Sequence, residues 1–185
     1  MTTVNKQELI RLLMAYEPYE SLDEISKRRT LEFLSSNEQV FGSDNPLGHI
    51  TASSWLINFS GDSVLLTHHS KLNLWLQLGG HTEPYESILE SAMRETKEES
   101  GLEALTLLSS DIFDIDVHEI PERKTQGAHF HYDVRFLIRQ TKDEAIAISD
   151  ESNDLKWVKH EEVFGLTNQR SVIRMVEKYL KLNER

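Results

Sequence analysis

The stretch that organises this chain is Gly80–Leu102, with the sequence GHTEPYESILESAMRETKEESGL. Its central run from Ser87 to Ser100 has no Gly or Pro and is rich in Glu, Leu, Ala, Met, Arg and Lys, which favour helices. Gly101 follows directly, and a glycine after such a run is a typical helix stop. The pattern therefore predicts a helix over residues 87–100.

Three glutamates cluster on this predicted helix. Glu95, Glu98 and Glu99 stand at i, i+3 and i+4, so their carboxylates project from one face within one turn. Placing residues at about 100° intervals turns the nearby cations Arg94 and Lys97 away from that face. The carboxylates should therefore repel one another unless a cation lies between them. A solvated acidic surface and a site for a hard cation that also binds phosphate both fit this pattern.

The flanks of the helix favour the second alternative, because the whole stretch resembles the signature of the Nudix hydrolases. Thr96 replaces the usual aliphatic residue, and Tyr85 stands where a glycine commonly precedes the first Glu. Neither departure removes a candidate ligand or base. The positions that match the signature are, in chain order, Gly80, Glu86, Arg94, Glu95, Glu98, Glu99, Gly101 and Leu102.

The resemblance covers roughly residues 48–182 and implies an α/β fold. We expect an α/β/α sandwich with a mixed β-sheet over residues 48–185, preceded by an N-terminal helical extension and linker at residues 1–47. The remaining sequence agrees with this order of elements. Strands are predicted at 50–59, 63–68, 74–78, 112–120, 129–139 and 155–158, and helices at 4–16, 21–35 and 168–182, with Ser21 or Asp23 as the cap of the second helix.

The resemblance also implies roles for the residues of the acidic helix. Glu98 and Glu99 would be the principal Mg²⁺ ligands, and Glu95 would be a further ligand or would polarise water. Arg94 would orient Glu95 through a charge-assisted hydrogen bond. The implied reaction is hydrolysis of a nucleoside diphosphate linked to another group, by attack of a metal-activated water on phosphorus, with Mn²⁺ as a substitute for Mg²⁺.

Three further positions are implied outside the helix. The backbone at Gly80 would approach the metal or phosphate, and Glu86 would support the site through water. Glu151 stands where family members often add an acidic metal ligand, although Asp150 and Asp154 compete for this role.

Two groups of polar residues are candidates for binding substrate. His68, His69 and Lys71 lie at the end of the predicted hairpin. A second group, His129, His131 and Asp133, alternates with apolar residues and so shares one strand face. Such a group can contact substrate, bind a transition metal or form a hydrogen-bonded polar wall. Because neither group offers aromatic surface for two bases, we expect one nucleotide unit per substrate, in a nucleoside triphosphate or a nucleotide sugar.

Composition limits the class of protein and its partners. At 185 residues, 38% of them hydrophobic and 28% charged, the chain is typical of one soluble domain with an appended segment. It contains no cysteine, no apolar run long enough to span a membrane and no signal-peptide pattern, which predicts a cytoplasmic protein. A net charge of −11 argues against a nucleic-acid duplex as partner and leaves small phosphorylated nucleotides.

The N-terminal helices have two interpretations. They either cap the substrate pocket or form a homodimer contact, or they pack against the core. As an extension outside the family domain, residues 1–36 should be removable with the domain still folded. For the whole chain, the competing function is a nucleotide-sensing module without turnover, and a structural protein with an acidic surface helix is a third reading.

Overall fold

The computed structural model describes residues 2–70, 72–122, 127–148 and 152–184, with side chains from residue 5 onward. Within these ranges the α/β class with a mixed β-sheet and N-terminal helices is confirmed. The elements are α1 (Thr2–Ala15), α2 (Ser21–Ser36), β1 (Gly48–Ile57), β2 (Ser63–His69), β3 (Leu74–Leu76), β4 (Leu78–His81), α3 (Ile88–Ser100), β5 (Leu105–Leu107), β6 (Asp114–Ile120), β7 (His129–Gln140), β8 (Ser152–Lys159), a 3₁₀ turn (His160–Glu162), α4 (Val163–Leu166) and α5 (Arg170–Asn183).

The strand order is β3-β2-β1-β7-β5, and β4, β6 and β8 pair with β1, β7 and β2 respectively. The sequence did not predict the short strand β5 or helix α4. The strand predicted over residues 74–78 is divided into β3 and β4 at Gln77. No helix among the described residues is long and apolar enough to cross a bilayer.

Contacts divide the chain into two compact units. The first comprises residues 1–52, 80–92 and 110–136, and the second comprises residues 53–79, 93–109 and 137–185. Strands β1, β4 and β7 and helix α3 each contribute residues to both units.

In the first unit, α1 and α2 supply part of the core. Leu9, Leu13 and Leu34 are completely buried. The ring of Phe33 stacks on Tyr132 of β7 at a centroid distance of 4.1 Å. These side chains therefore pack in the core, as the second interpretation of the N-terminal helices states.

The start of α2 differs from its prediction, because neither Ser21 nor Asp23 is the capping residue. Glu20 occupies the N-cap position and Ser21 is the first helical residue. Asp23 instead accepts hydrogen bonds from the Glu20 backbone N–H at 2.8 Å and the Tyr16 hydroxyl at 2.6 Å. The carboxylate thus fixes the turn between α1 and α2 from inside the first turn of the helix.

In the second unit, the core is a leucine-rich cluster on which Met93 of α3 and Trp157 of β8 pack. Its buried members are Leu56, Leu65, Leu78, Leu102, Ile138 and Leu155. Trp55 is completely buried. Trp75 is different, since it is partly exposed and contacts His68 and the Lys156 ammonium instead of the core.

Candidate active site

Helix α3 begins and ends through local side-chain chemistry. Ser87 and Glu90 exchange hydrogen bonds between side chain and backbone N–H, at 3.3 and 2.8 Å, which makes a capping box. At the other end Gly101 has φ +70°, as the predicted glycine stop requires. These local interactions determine where α3 begins and ends, so Glu95, Glu98 and Glu99 all lie within the helix.

Arg94 lies among the carboxylates of α3, contrary to its predicted direction. Its Nη1 donates to Glu95 Oε1 at 2.7 Å and to Glu98 Oε2 at 3.1 Å. The angular argument was wrong for Arg94 because a long side chain reaches across a helical turn from a neighbouring face. It holds for Lys97, which pairs with Glu103 at 2.9 Å. Glu95 is oriented by the charge-assisted bond that the resemblance implies.

Glu99 and Thr96 attach α3 to neighbouring strands of the second unit. A Glu99 carboxylate oxygen accepts the backbone N–H of Gly79 at 2.9 Å. The Thr96 hydroxyl, at the position where the signature has an aliphatic residue, donates to Ser54 Oγ at 2.7 Å, and both side chains are completely buried. The departure from the signature is therefore matched by a polar partner on β1, so no buried hydroxyl is left unsatisfied.

The positions outside α3 are described only in part. Glu86 accepts a hydrogen bond from Ser91 Oγ at 2.9 Å, and Gly80 lies in β4, partly buried. Glu151, Asp150 and Lys71 lie outside the described residues. Asp154, which also competes with Glu151, lies exposed within β8 and accepts the Leu155 N–H at 2.9 Å. His68 packs on Trp75, and His69 Nδ1 accepts the Leu72 N–H at 3.3 Å.

The predicted strand face of His129, His131 and Asp133 separates into two groups in the first unit. Asp133 belongs to a buried ion cluster. Its carboxylate accepts Arg135 Nε at 2.7 Å and the Thr51 hydroxyl at 3.0 Å. Arg135 also donates to Asp114 at 3.0 Å and lies 3.7 Å from Asp116. Asp133 is thus engaged with protein partners, and Asp114, Asp116 and Arg135 were missed by the sequence analysis.

His129 and His131 belong to a cluster of five histidines. His131 pairs across the sheet with His118 of β6. The ring of His49, at the start of β1, lies 5.2 Å from His129, 4.6 Å from His131 and 4.8 Å from the exposed ring of His81. Burial, and to a smaller extent His81 and His129, lower the pKa of His49 to about 4. Burial and the surrounding histidines likewise lower the pKa of His131 to about 2, so both rings are neutral at pH 7.

One signal for these missed residues was present in the sequence. Asp114, Asp116 and His118 alternate along β6 just as His129, His131 and Asp133 alternate along β7, and two antiparallel strands with polar alternation align on one face. His49 and His81 carried no such pattern, because their approach depends on how β1 and β4 are placed.

Comparison with known proteins gives a family match that includes the acidic helix α3. The family model of the NUDIX domain matches residues 48–178. The protein named "Probable DHNTP pyrophosphohydrolase" of Lactococcus lactis subsp. cremoris (strain MG1363) is 29% identical over 147 residues, covering 78% of this chain and 76% of that protein. The bis(5'-nucleosyl)-tetraphosphatase [asymmetrical] of Mus musculus is 29% identical over 111 residues, covering 59% of this chain and 71% of that protein.

Among solved structures, the Ap4A hydrolase of C. elegans in a binary complex has a TM-score of 0.59 at 21% identity, covering 73% of this chain and 97% of that one. At this identity the likeness concerns the fold alone. The family match, however, spans well over half of the chain and includes all of α3, whose Arg94, Glu95 and Glu98 are already linked to one another. The chain therefore belongs to the NUDIX domain family.

Proposed function

We propose that this Nudix hydrolase is a Mg²⁺-dependent pyrophosphohydrolase that cleaves the diphosphate linkage of a nucleoside diphosphate joined to another group. The observation that carries the proposal is the convergence of carboxylates on α3. Oxygens of Glu95 and Glu98 both lie within hydrogen-bonding distance of a single cationic nitrogen, Nη1 of Arg94. The carboxylates of Glu95 and Glu98 thus converge on one cation, the Arg94 guanidinium.

The residues present fit a hard divalent cation. Glu95, Glu98 and Glu99 supply carboxylate oxygens from adjacent positions of one helix, and such oxygens are the ligands that Mg²⁺ prefers. Glu98 is more exposed than Glu95, with 59% of its side chain accessible against 15%, so it can turn toward a cation without disturbing the core. When bound, Mg²⁺ neutralises charge on substrate phosphates and makes a water molecule more acidic.

The chain's own residues would then position the reactants. Arg94 fixes the Glu95 carboxylate, which we propose accepts the proton of the attacking water. The hydrogen bond from the Gly79 N–H to Glu99 ties β4 to the same helical turn. Because this turn carries several acidic groups, an anionic phosphate would be repelled without a cation, which makes activity dependent on metal.

For the substrate, we propose a triphosphate carried on a single base. The L. lactis relative is named for DHNTP, dihydroneopterin triphosphate, and aligns over more of the chain than the Mus musculus enzyme named for dinucleoside tetraphosphates.

A substrate screen tests this proposal. Purified protein is assayed with nucleoside triphosphates, dihydroneopterin triphosphate, nucleotide sugars, ADP-ribose and dinucleoside polyphosphates, with Mg²⁺, with Mn²⁺ and with EDTA. We expect the highest kcat/KM for a triphosphate, release of pyrophosphate and monophosphate, and no turnover in EDTA. Preference for dinucleoside polyphosphates would refute the substrate class. Tight binding without turnover in Mg²⁺ would favour the nucleotide-sensing alternative.

His131→Ala tests substrate contact in the same screen. His131 shares one strand face with His129, and both are candidates for binding substrate. If this face contacts the base, the variant raises KM for the preferred triphosphate with a smaller change in kcat. A Lys156→Ala variant, which removes a cation stacked on Trp75 in the second unit, serves as control. Equal kinetic parameters for His131→Ala and wild type would refute this substrate contact.

A further inference from the structure

We propose that His49, His129 and His131 bind a transition-metal ion of the Zn²⁺ class, through a ligand set that does not include the carboxylates of α3. The three residues each offer one ring nitrogen, and these nitrogens lie within 4.8 Å of one another. They come from β1 and β7 in the first unit, so the strands that form the sheet also hold the ligands.

The spacing is close to that of a tetrahedral site. With metal–nitrogen bonds of about 2.0–2.1 Å, ligand nitrogens in such a site are about 3.4 Å apart. The three nitrogens would have to approach by at most about 1.4 Å, the difference between 4.8 Å and this value. Rotation of the imidazole rings on fixed strands can supply a movement of this size. His81, exposed and 4.8 Å from the His49 ring, lies where a fourth ligand can approach.

His49 provides an independent reason to expect a ligand. Its side chain is completely buried, and neither ring nitrogen has a hydrogen-bond partner within the described part of the chain. Buried polar atoms are normally paired, because burial removes them from water. A metal ion bound to one nitrogen of His49 would give this ring the partner that a polar group in such a place requires.

The partners of two other histidines orient their rings as in known metal sites. Nδ1 of His129, itself 4% exposed, lies 2.9 Å from the Gly127 carbonyl, so the proton resides on Nδ1 and the lone pair on Nε2. Nδ1 of His118 lies 3.1 Å from the Asp116 carboxylate. Metal-binding histidines commonly donate their second nitrogen to a carbonyl or carboxylate in this way.

The charges near the cluster favour a cation. Asp114, Asp116 and Asp133 surround Arg135, and three carboxylates with one guanidinium carry a formal charge of −2. His118 joins this group through Asp116 and contacts His131 at a ring distance of 5.6 Å. The type of ligand selects the ion, because imidazole suits Zn²⁺, Ni²⁺ and Cu²⁺, whereas Mg²⁺ prefers oxygen.

Titration of the metal-free full-length protein with Co²⁺ in excess Mg²⁺ tests this site. The Mg²⁺ occupies hard carboxylate sites, and Co²⁺ bound by imidazoles in a tetrahedral site absorbs visible light far more intensely than Co²⁺ bound by oxygens. We expect one Co²⁺ per chain with intense absorption, displaced by Zn²⁺. His129→Gln and His131→Gln should each weaken Co²⁺ binding more than about 100-fold, beyond the 10–100-fold typical of losing an outer-shell partner.

Two variants serve as controls. His160→Gln replaces a buried histidine of the second unit that packs on Tyr179, and the double variant Glu98→Gln/Glu99→Gln removes carboxylates of α3. Both should retain the intense absorption. The proposal is overturned if the wild type lacks this absorption, if both histidine variants keep it, or if the double glutamate variant loses it.

A measurement on the wild type alone covers the case in which the histidine variants do not fold. X-ray absorption at the Zn edge, with one Zn²⁺ per chain and excess Mg²⁺, should show at least three imidazole nitrogens at about 2.0–2.1 Å. A shell of oxygen ligands would place the ion at carboxylates and refute the site.

Discussion

Arg94 determines how the acidic face of α3 behaves. The spacing of Glu95, Glu98 and Glu99 predicts repulsion, but the guanidinium between Glu95 and Glu98 offsets part of it. The same arginine is available to hold Glu95 while Glu98 turns toward a metal. Substitution of a single carboxylate should therefore affect catalysis and stability very differently.

We predict that Glu98→Gln lowers kcat roughly 10²–10³-fold, the range for losing one electrostatic stabiliser of a transition state. Its free energy of unfolding should change by less than about 0.5 kcal/mol, because an exposed ion pair and a like-charge repulsion are lost together. Steady-state rates at limiting and saturating Mg²⁺ and denaturant titration measure the two effects. Glu103→Gln, which removes only the partner of Lys97, is the control. Near wild-type turnover at limiting Mg²⁺ would exclude Glu98 as a ligand.

His160 makes stability depend on pH. Its side chain is buried against Tyr179, and burial lowers its pKa below the ordinary value of 6.5, although the Gly61 carbonyl and the carboxylates of Asp62 and Glu161 act in the opposite direction. The unfolded chain thus binds a proton at His160 more readily than the folded chain. This contribution to stability is complete above pH 6.5 and is lost as the pH falls below it.

We predict that His160→Gln flattens the pH dependence of stability. Between pH 7.5 and 5.5 the wild type should lose up to about 1.4 kcal/mol per pH unit more than the variant, the limit for one proton. Denaturant titrations of both proteins at several pH values measure the difference, with their values at pH 7.5 as the baseline. Parallel curves for the two proteins would show that His160 titrates alike in the folded and unfolded states.

At the level of elements, the end of α3 depends on one glycine. Gly101 has φ +70°, and a Cβ added there would lie 2.7 Å from Cβ of Ala147. The backbone N–H of Ala147 donates to the Ser100 carbonyl at 2.8 Å, so the neighbouring segment is bound to the helix end. Both the backbone angle and the close contact require that this position lack a side chain.

We predict that Gly101→Ala destabilises the fold by about 1–3 kcal/mol, the cost of a left-handed backbone at a residue with a side chain. Gly165→Ala is the matched control, because Gly165 lies in α4 and a Cβ there meets nothing within 4 Å. That control should be neutral or stabilising by up to about 1 kcal/mol. Denaturant unfolding measures both variants, and equal stability of the two would contradict the role of Gly101.

At the level of the whole molecule, the N-terminal helices are structurally part of the first unit. Leu9, Leu13 and Leu34 are buried there, and Phe33 covers Tyr132. The sequence comparison places the family match from residue 48 onward, where β1 begins. The helices thus lie outside the matched region and yet cover residues within it.

This packing argues against the expectation that residues 1–36 are removable, which truncation itself tests. We predict that the truncated chain lacks cooperative unfolding, measured by circular dichroism and thermal denaturation, because Tyr132 and its neighbours lose their cover. In the full chain, Leu34→Ala should cost about 2–5 kcal/mol, whereas Leu22→Ala on the same helix, where the leucine is 49% exposed, should cost less than about 0.5 kcal/mol. A stable truncated domain would restore the initial view of a separate extension.

The sequence alone determined the features that depend on neighbours along the chain. The spacing of Glu95, Glu98 and Glu99, the glycine stop at Gly101 and the alternation along β7 follow from the periods of helix and strand, which any local stretch carries. The resemblance to the Nudix signature rests on the same local spacing, and the family match confirms it. The reach of Arg94 escaped the same argument, because angular position describes where a side chain starts and not where its charged end lies.

Only the tertiary structure decided which distant residues meet. The five clustered histidines come from four different strands, and although the period of β7 relates His129 to His131, no local period relates them to His49, His81 or His118. Likewise, Thr96 is a departure from the signature until Ser54 is seen opposite it, and the N-terminal helices are an extension until Phe33 is seen on Tyr132. Such contacts depend on how strands and helices pack, and burial then sets the pKa of His49 and the pairing of Asp133, because both respond to the loss of water.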